Sequence, residues 1–571
     1  MDRKSLNARL YSLFKCLLPW NNDTGTPRLC DDNQLEAFEK VYRRAQTVSQ
    51  RYGFTSEDFV YLTDKFWDFH LDKTVAESIP VHILITIQYN LALGTILQTV
   101  PCDERYQPLV KKILAFEVSA QFMLTEIDHG LDTKHLETTA TLQHDGSFIL
   151  NTPHPGAAKF MPPSMPVAGL PRVAVVMAKL IVREEDRGIR PFLVALSDEK
   201  EMCGGVSTKL IPPLGGGDSL DHAITSFVNV HLPPSALLGD IKTPTDHQHF
   251  FSVISRVPIG TLSLSIGLLP AQKASTVIYA QYSMRRMVTD PSGHKVPIMS
   301  FRTQQLPLLR SLAQIKVLEK MAPWVIERFR NPTVDARVRH GLAIITKAVF
   351  LQHGQQTLAQ FVERCGAQGL FSHNQLISYQ SQMRWVSISE GDTLALSIRL
   401  ATELLLGRYA LPSPTMPTCL LAKHEQGLIA EARAQLQALK GGHRSKEYND
   451  FMLPRCRPIV EAIGHRVAYE AACAAGVPEC ILAVYESEVV NLDIGWYIEN
   501  GEVTRLSLWE KENTALNGVL TSAETMIHDM AAGIRNTAPI VSQETYSAFV
   551  ESLPSLTGEA SYSLHPESAI D

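Results

Sequence analysis

The sequence predicts an α+β multidomain protein: an N-terminal helical domain, a central β-barrel-like or β-sandwich domain, and two C-terminal helical bundles. Three observations predict it. Apolar residues recur at helical spacing over 34–117. From about residue 118 the texture changes to short β-rich runs separated by Gly and Pro clusters. After about residue 245, long stretches of helical periodicity return and continue almost to the end. The expected division is an N-terminal extension (1–33), a helical domain (34–117), a β domain (118–244) and two helical bundles (245–420 and 421–571).

Composition narrows the function classes. The chain has 571 residues, 45% of them hydrophobic and 20% charged. That balance belongs to a globular protein whose core needs no disulfide staples. Lys and Arg total 53 against 59 Asp and Glu, a formal charge of -6. A surface that grips phosphate backbones is basic, so nucleic acid is not an expected partner. The nine cysteines form no C-x-x-C pair. They fit neither a zinc site nor a secreted disulfide framework, so no metal is expected and a reducing compartment is. The ending Ser568-Ala569-Ile570-Asp571 is not of the S-K-L type, which favours the cytoplasm over the peroxisome.

The elements follow in order. Leu6, Leu10, Phe14, Leu17 and Leu18 lie at helical spacing among Arg3, Lys4, Arg9 and Lys15, the pattern of an amphipathic first helix more than of a transit peptide. Ser56-Glu57-Asp58 has the composition of a helix start. Residues 79–100 carry no Asp, Glu, Lys or Arg and are long enough to span a bilayer. Pro80, His82, Gln88, Asn90 and Gln98 interrupt that run, so a buried bundle helix is expected and stable membrane insertion is not. Asp145-Gly146 between β-rich flanks is a hairpin dipeptide. Residues 172–182, 190–197 and 223–233 read as further strands. Later, the Pro-rich 411–418 and Gly441-Gly442 bracket a short helix at the boundary between the two bundles.

Four separated segments carry more specific information. They are Thr125-Glu126-Ile127-Asp128-His129-Gly130 with Leu136-Glu137-Thr138-Thr139-Ala140-Thr141; Tyr282-Ser283-Met284-Arg285-Arg286 with Phe301-Arg302-Thr303-Gln304-Gln305; Cys365-Gly366-Ala367-Gln368-Gly369-Leu370; and Glu390-Gly391-Asp392-Thr393. In this order they resemble the acyl-CoA oxidase branch of the acyl-CoA dehydrogenase superfamily, whose motifs run T-E-x-G-H-G…L-E-T-T-A-T, Y-S-x-x-R…F-x-T-Q-Q, C-G-G-x-G-Y and E-G-[ED]-N. The resemblance covers about residues 35 to 550. Within it, Pro478–Leu520 resembles the extra helical domain of the oxidases.

The resemblance implies FAD as cofactor and Glu390 as the base that removes the α-proton of an acyl thioester, with the β-hydrogen leaving as hydride. A carboxylate in a water-poor pocket holds its proton more tightly, which makes it the stronger base. The family holds the substrate carbonyl on the base's own backbone N–H and a ribityl hydroxyl. By the same resemblance Thr125 meets the flavin ring edge and Gly130, Met161 and Pro163 lie along it. Arg286 meets FAD phosphate across a subunit interface. Gly366 and Gly369 let backbone approach the adenosine half, and Gln305 and Thr393 add polar contacts. Without the family, each has an ordinary reading. Glu390-Gly391-Asp392-Thr393 is a helix cap with acidic residues favouring the dipole, Thr125 a strand threonine, Arg286 a solvated helix residue and Gly366/Gly369 a turn.

The chain also departs from the family. Lys159-Phe160-Met161-Pro162-Pro163-Ser164 stands where the oxidases have K-W-W-P-G-G, and proline has no N–H to donate. Asp128 replaces the first glycine of G-H-G. Ala367, Leu370 and Thr393 replace Gly, Tyr and Asn. The expected function is FAD-dependent α,β-dehydrogenation of an acyl thioester, CoA- or carrier-bound, by a homodimer whose flavin is reoxidised by O2. A specialised substrate is expected over bulk fatty acids. The rivals are a flavin-dependent monooxygenase on the same fold and a non-catalytic relative serving as a binding or assembly protein.

Overall fold

The computed structural model describes residues 32–73, 77–101, 103–212, 214–215, 220–242, 247–534 and 537–561. The amphipathic stretch before residue 32, the last four residues and much of the Gly/Pro cluster at 212–217 lie outside the described residues.

Helix α1 (Asp32–Tyr52) turns Phe38, Val41, Tyr42 and Ala45 inward, the stripe that its periodicity predicts. A following helix starts at Thr55, whose N–H and hydroxyl bond the Asp58 carboxylate. The charge-free run forms one continuous helix, α2 (Ile79–Thr99), and 89% of its apolar window is buried inside the protein. The four polar side chains that interrupt the run, His82, Gln88, Asn90 and Gln98, find internal partners. His82 meets His70 at 2.7 Å, and Gln88 bonds the Ile113 carbonyl at 2.9 Å and the Ala120 N–H at 3.0 Å. Asn90 and Gln98 reach Arg256 and Ser255. A buried polar group costs free energy only when unpaired, so these bonds let an apolar helix carry them into a core. Its middle, Ile87–Leu93, is π-helical.

The β region holds two sheets. In the larger, β5 (Arg172–Val182) is central. Its first half pairs in parallel with β1 (Ser119–Met123) and its second half in parallel with β2 (Thr139–Leu142). On its other edge it runs antiparallel to β6 (Glu185–Ser197). Ala174 through Ala178 are all buried, the near-continuous apolar run of a strand covered on both faces. The hairpin of β2 and β3 (Phe148–Asn151) turns at Asp145-Gly146 as expected, with Gly146 at φ 86°. The smaller sheet is β4 (Lys159–Pro163), β8 (His222–Phe227) and β7 (Val206–Leu210), in that order. The segment expected as one strand over 223–233 is two. Asn229, at φ 49°, breaks it, so that β9 (Val230–Leu232) joins the larger sheet beside β3.

The remaining chain is mainly helical. The elements that frame the site are α3 (Arg256–Ile266), α4 (Leu268–Arg285), α5 (Arg302–Arg330), α6 (Ala336–Arg364), α7 (Thr393–Leu405) and α8 (Leu453–Ala474). One short hairpin, Met287–Thr289 with Lys295–Pro297, interrupts the helices, which the sequence reading did not anticipate. Asp290 makes it, accepting from the Ser292 and His294 N–H groups at 2.9 Å each. The Pro-rich segment before residue 420 lies against α8: the Pro412 carbonyl accepts from Arg466, and the Met416 N–H donates to Glu470.

Candidate active site

Glu390 lies in the loop before α7, with its backbone at φ 50°. A side chain other than glycine disfavours this left-handed conformation by about 1–2 kcal/mol, so the surroundings must hold it. They do so through three successive carbonyls. Lys347, from the middle of α6, donates to Ser389 O and to Gly391 O at 2.6 Å each. Thr261 of α3 donates its hydroxyl to Glu390 O at 2.6 Å. Asp392 then caps α7 by accepting the Ala395 N–H at 2.9 Å. The capping role and the inward-facing carboxylate, which compete for the same motif in the sequence, therefore fall to different residues. Asp392 caps, and the Glu390 side chain turns inward.

That side chain lies on the backbone of Gly260. A Cβ built on Gly260 would stand 1.2 Å from Glu390 Oε2, so only glycine leaves room for the carboxylate. Oε2 is buried and has no hydrogen-bond partner. Desolvation pushes the Glu390 carboxyl up to about 8, against the opposing pull of Lys347 and Arg256. Burial also lowers Lys347 to about 8 and Arg256 to about 10, and Glu390 resists both shifts. Arg256 is held by the N-terminal helices. It donates to Asn90 O and Asn90 Oδ1 at 2.9 Å each and to Phe59 O at 2.9 Å. Its guanidinium fills the space over Gly94, where a Cβ would lie 2.3 Å from Nε.

The flavin-side candidates gather on the β1/β4 edge. Thr125 and Phe160 bond reciprocally: the Thr125 hydroxyl donates to Phe160 O at 2.8 Å and the Phe160 N–H to Thr125 O at 3.0 Å. The hydroxyl is thus engaged by the strand, as the ordinary reading expects. Beyond Phe160 the β4–β8 register shifts. Met161 takes φ 68°, and its carbonyl is bonded by His222 Nδ1 at 2.8 Å. Pro163, buried, pairs opposite His222. Under this edge lies an ion pair that the sequence reading missed, Lys159 with Glu126 at 3.0 Å, both side chains fully buried. The Glu126 carboxylate also accepts from the Glu137 and Thr138 N–H groups at 2.7 and 2.9 Å. Gly130 is exposed. Asp128 is turned onto Gly156, whose Cβ would stand 1.8 Å from its Oδ2, and His129 bonds Glu137 at 2.8 Å. Three apolar side chains of these segments are exposed, Ile127, Leu131 and Phe160, at 44%, 70% and 38%.

A third group lies at the far end of the bundle. Arg286 caps α4 through its N–H to Tyr282 O, and its side chain is exposed. Gln305 donates to Met299 O at 3.0 Å, while its neighbour Gln304 reaches Arg364 O at 3.2 Å, beside the Gly366 turn. Gly366 has φ 60° with open space where a Cβ would be. Gly369 is required by packing instead, because its Cβ would lie 2.2 Å from Val362 O. Thr393 is buried and bonds Ser387 O at 2.8 Å, a structural role. Two cavities, of about 600 and 280 Å³, lie along the β region, and Glu390 lines neither.

Arg256, Gly260, Thr261 and Lys347 escaped the sequence reading. Lys347 had a signal, being a lone charge inside Ile344-Ile345-Thr346-Lys347-Ala348-Val349-Phe350-Leu351. Arg256 had one only through Asn90, the polar interruption in α2.

No family model matches the chain. Acyl-coenzyme A oxidase 2, peroxisomal, of Arabidopsis thaliana is 24% identical over 351 residues, covering 57% of this chain and 50% of that protein. The chain thus spans about half the length of the curated relative it matches. The crystal structure of acyl-CoA oxidase 1 from Yarrowia lipolytica superposes with a TM-score of 0.79 over 97% of this chain and 91% of that one, at 17% identity. Acyl-CoA oxidase 2 of Caenorhabditis elegans, solved bound with FAD, ascaroside-CoA and ATP, gives 0.69 at 16% identity, over 93% of this chain and 96% of that one.

Proposed function

We propose that the chain is a member of the acyl-CoA oxidase/dehydrogenase superfamily, an FAD-dependent oxidoreductase of the CH–CH class acting on an acyl thioester, with Glu390 as its base. The observation that carries this reading is the Glu390 carboxylate: desolvated, on a strained loop, with Oε2 buried and unpartnered. Structural carboxylates are paired when buried, whereas one left unpaired is a group kept for a reaction. The residues fit the cofactor as well. The exposed apolar side chains of Ile127 and Phe160 on the paired 125–127 and 158–160 segments suit a flat aromatic ring, and the open Gly366 turn and the exposed Arg286 suit a phosphate-bearing tail.

When bound, FAD would accept the β-hydrogen as hydride. The chain's own part is the proton. Ionised Glu390 takes the α-proton onto the carboxylate that Gly260 leaves room for, and its N–H is the donor for the thioester carbonyl as negative charge develops there. Arg256 and Lys347 favour the ionised carboxylate without bonding it, so its proton affinity remains high enough for the task. We extend the proposal to reoxidation by O2, to a homodimer through the Arg286 face, and to a specialised acyl group suited to the Met161/Pro163 edge. A peroxisomal location, which the Arabidopsis relative carries in its name, is proposed beside the cytoplasmic one that the sequence favours; imaging the tagged chain against a peroxisomal marker separates them.

One observation favours the non-catalytic rival: the Thr125 hydroxyl is already bonded to Phe160 O, and Pro163 offers no N–H. The visible spectrum of the purified protein, with its chromophore identified, separates the two. Bound FAD that bleaches when a saturated acyl-CoA is added anaerobically, in the wild type but not in Glu390→Gln, supports the enzyme. A protein that stays colourless after incubation with FAD overturns it. Incorporation of an oxygen atom into product would mark the monooxygenase instead.

A further inference from the structure

We propose that Lys347 is the positioning residue of this site, fixing the Ser389–Glu390 peptide so that the Glu390 N–H is aimed and strengthened as the donor to the thioester carbonyl. The inference rests on the reading of Glu390 as the base. A peptide unit is planar and trans, so its C=O and N–H point in opposite directions. Lys347 Nζ holds Ser389 O at 2.6 Å, which directs the Glu390 N–H away from Lys347. Thr261 does the same for the next peptide by holding Glu390 O at 2.6 Å. No hydrogen bond of the Glu390 N–H occurs among the described residues, so a donor aimed by its neighbours is left for a ligand.

The ammonium also acts through charge. A cation on the carbonyl polarises the peptide and makes its N–H the stronger donor. Lys347 holds Gly391 O as well, so one buried group brackets the residue at φ 50° from both sides. The charged groups bearing on the pair are Arg256 from α3, Lys347 from α6 and Asp392 on the loop itself. Arg256 spends one N–H of each of its three nitrogens on Asn90 and Phe59, and among the described residues it bonds none of the carbonyls that Lys347 holds.

The test compares Lys347→Met and Lys347→Arg with the wild-type holoprotein, using short-, medium- and long-chain saturated acyl-CoA as probes. Loss of an oxyanion donor costs about 100-fold in kcat, and Lys347→Met is expected to approach that with KM little changed. The acid limb of its pH profile moves to higher pH, because removing the cation disfavours ionised Glu390. Lys347→Arg restores both in part. A merely structural lysine lowers the amount of active protein and moves neither kcat per active site nor the limb. Independently of turnover, hydrogen exchange of the peptide spanning 385–396 should quicken in Lys347→Met but not in Lys347→Arg. If Lys347→Met does not fold, Lys347→Met/Glu390→Gln is read by exchange against Glu390→Gln. Wild-type kcat, an unmoved limb or unchanged exchange in Lys347→Met overturns the proposal. If no acyl-CoA bleaches the wild type, the reading of function has failed, and exchange alone decides whether Lys347 positions the loop.

Discussion

Glu390 Oε2 occupies the space that a side chain on Gly260 would need, 1.2 Å from the position of its Cβ. The helix residue and the loop residue are 130 positions apart, and each explains the other. The carboxylate is unpartnered because it rests on bare backbone, and the backbone is bare because the carboxylate is there.

Gly260→Ala tests this relationship. Alanine suits a helix interior by about 1 kcal/mol better than glycine, so the fold should survive. The carboxylate must move by about 1 Å or more, and misplacement of that size costs roughly 100-fold in rate. Anaerobic bleaching should slow accordingly while the thermal midpoint holds; an unchanged rate would place the working carboxylate elsewhere.

The pH dependence follows from the sign of the shift. Glu390 acts as a base only when ionised, and burial holds its proton up to about 8. Below that value most molecules are protonated and idle. The bleaching rate should therefore rise with pH toward about 8 and fall again above it, as Lys347, which burial lowers to about 8, gives up its proton. A rate flat between pH 5 and 9, spanning that value, would contradict the assignment.

Lys159 and Glu126 form a fully buried pair at 3.0 Å. Removing one partner leaves the other charge buried and uncompensated, a cost of about 3–5 kcal/mol. Lys159→Met should lower the free energy of unfolding, read from denaturant titration, by that much. Although desolvation opposes it, the Glu126 carboxyl lies below its ordinary value, held there by Lys159 and by the N–H groups of Glu137 and Thr138. The stability it adds is therefore present above the ordinary carboxylate range and lost as pH falls through the lowered value. Acid denaturation of Glu126→Gln should lack that component.

Asp392→Ala separates capping from base chemistry. Loss of an N-cap side chain costs about 1 kcal/mol, and exchange at the first turn of α7 should quicken. Glu390→Gln, which leaves the Asp392–Ala395 bond in place, should not loosen that turn.

Much of the architecture was legible because it depends on local pattern. The strand over 172–182, the Asp145-Gly146 hairpin and the buried helix over 79–100 follow from alternation, turn chemistry and polar interruptions within a few residues of one another. The 223–233 segment was misjudged because apolar spacing does not show a single left-handed residue, Asn229, that sends its two halves to different sheets. The 287–297 hairpin was missed because three-residue strands are too short to show a period.

For the candidate site, residue order already pointed to Glu390, through motifs whose succession along the chain is visible without a structure. Only the tertiary structure decided what surrounds it. Lys347, Arg256, Thr261 and Gly260 come from helices α3 and α6, and their relation to Glu390 exists only as distances across a packed core. Burial raises the Glu390 carboxyl, and burial is a property of neighbours in space, which residue order does not record.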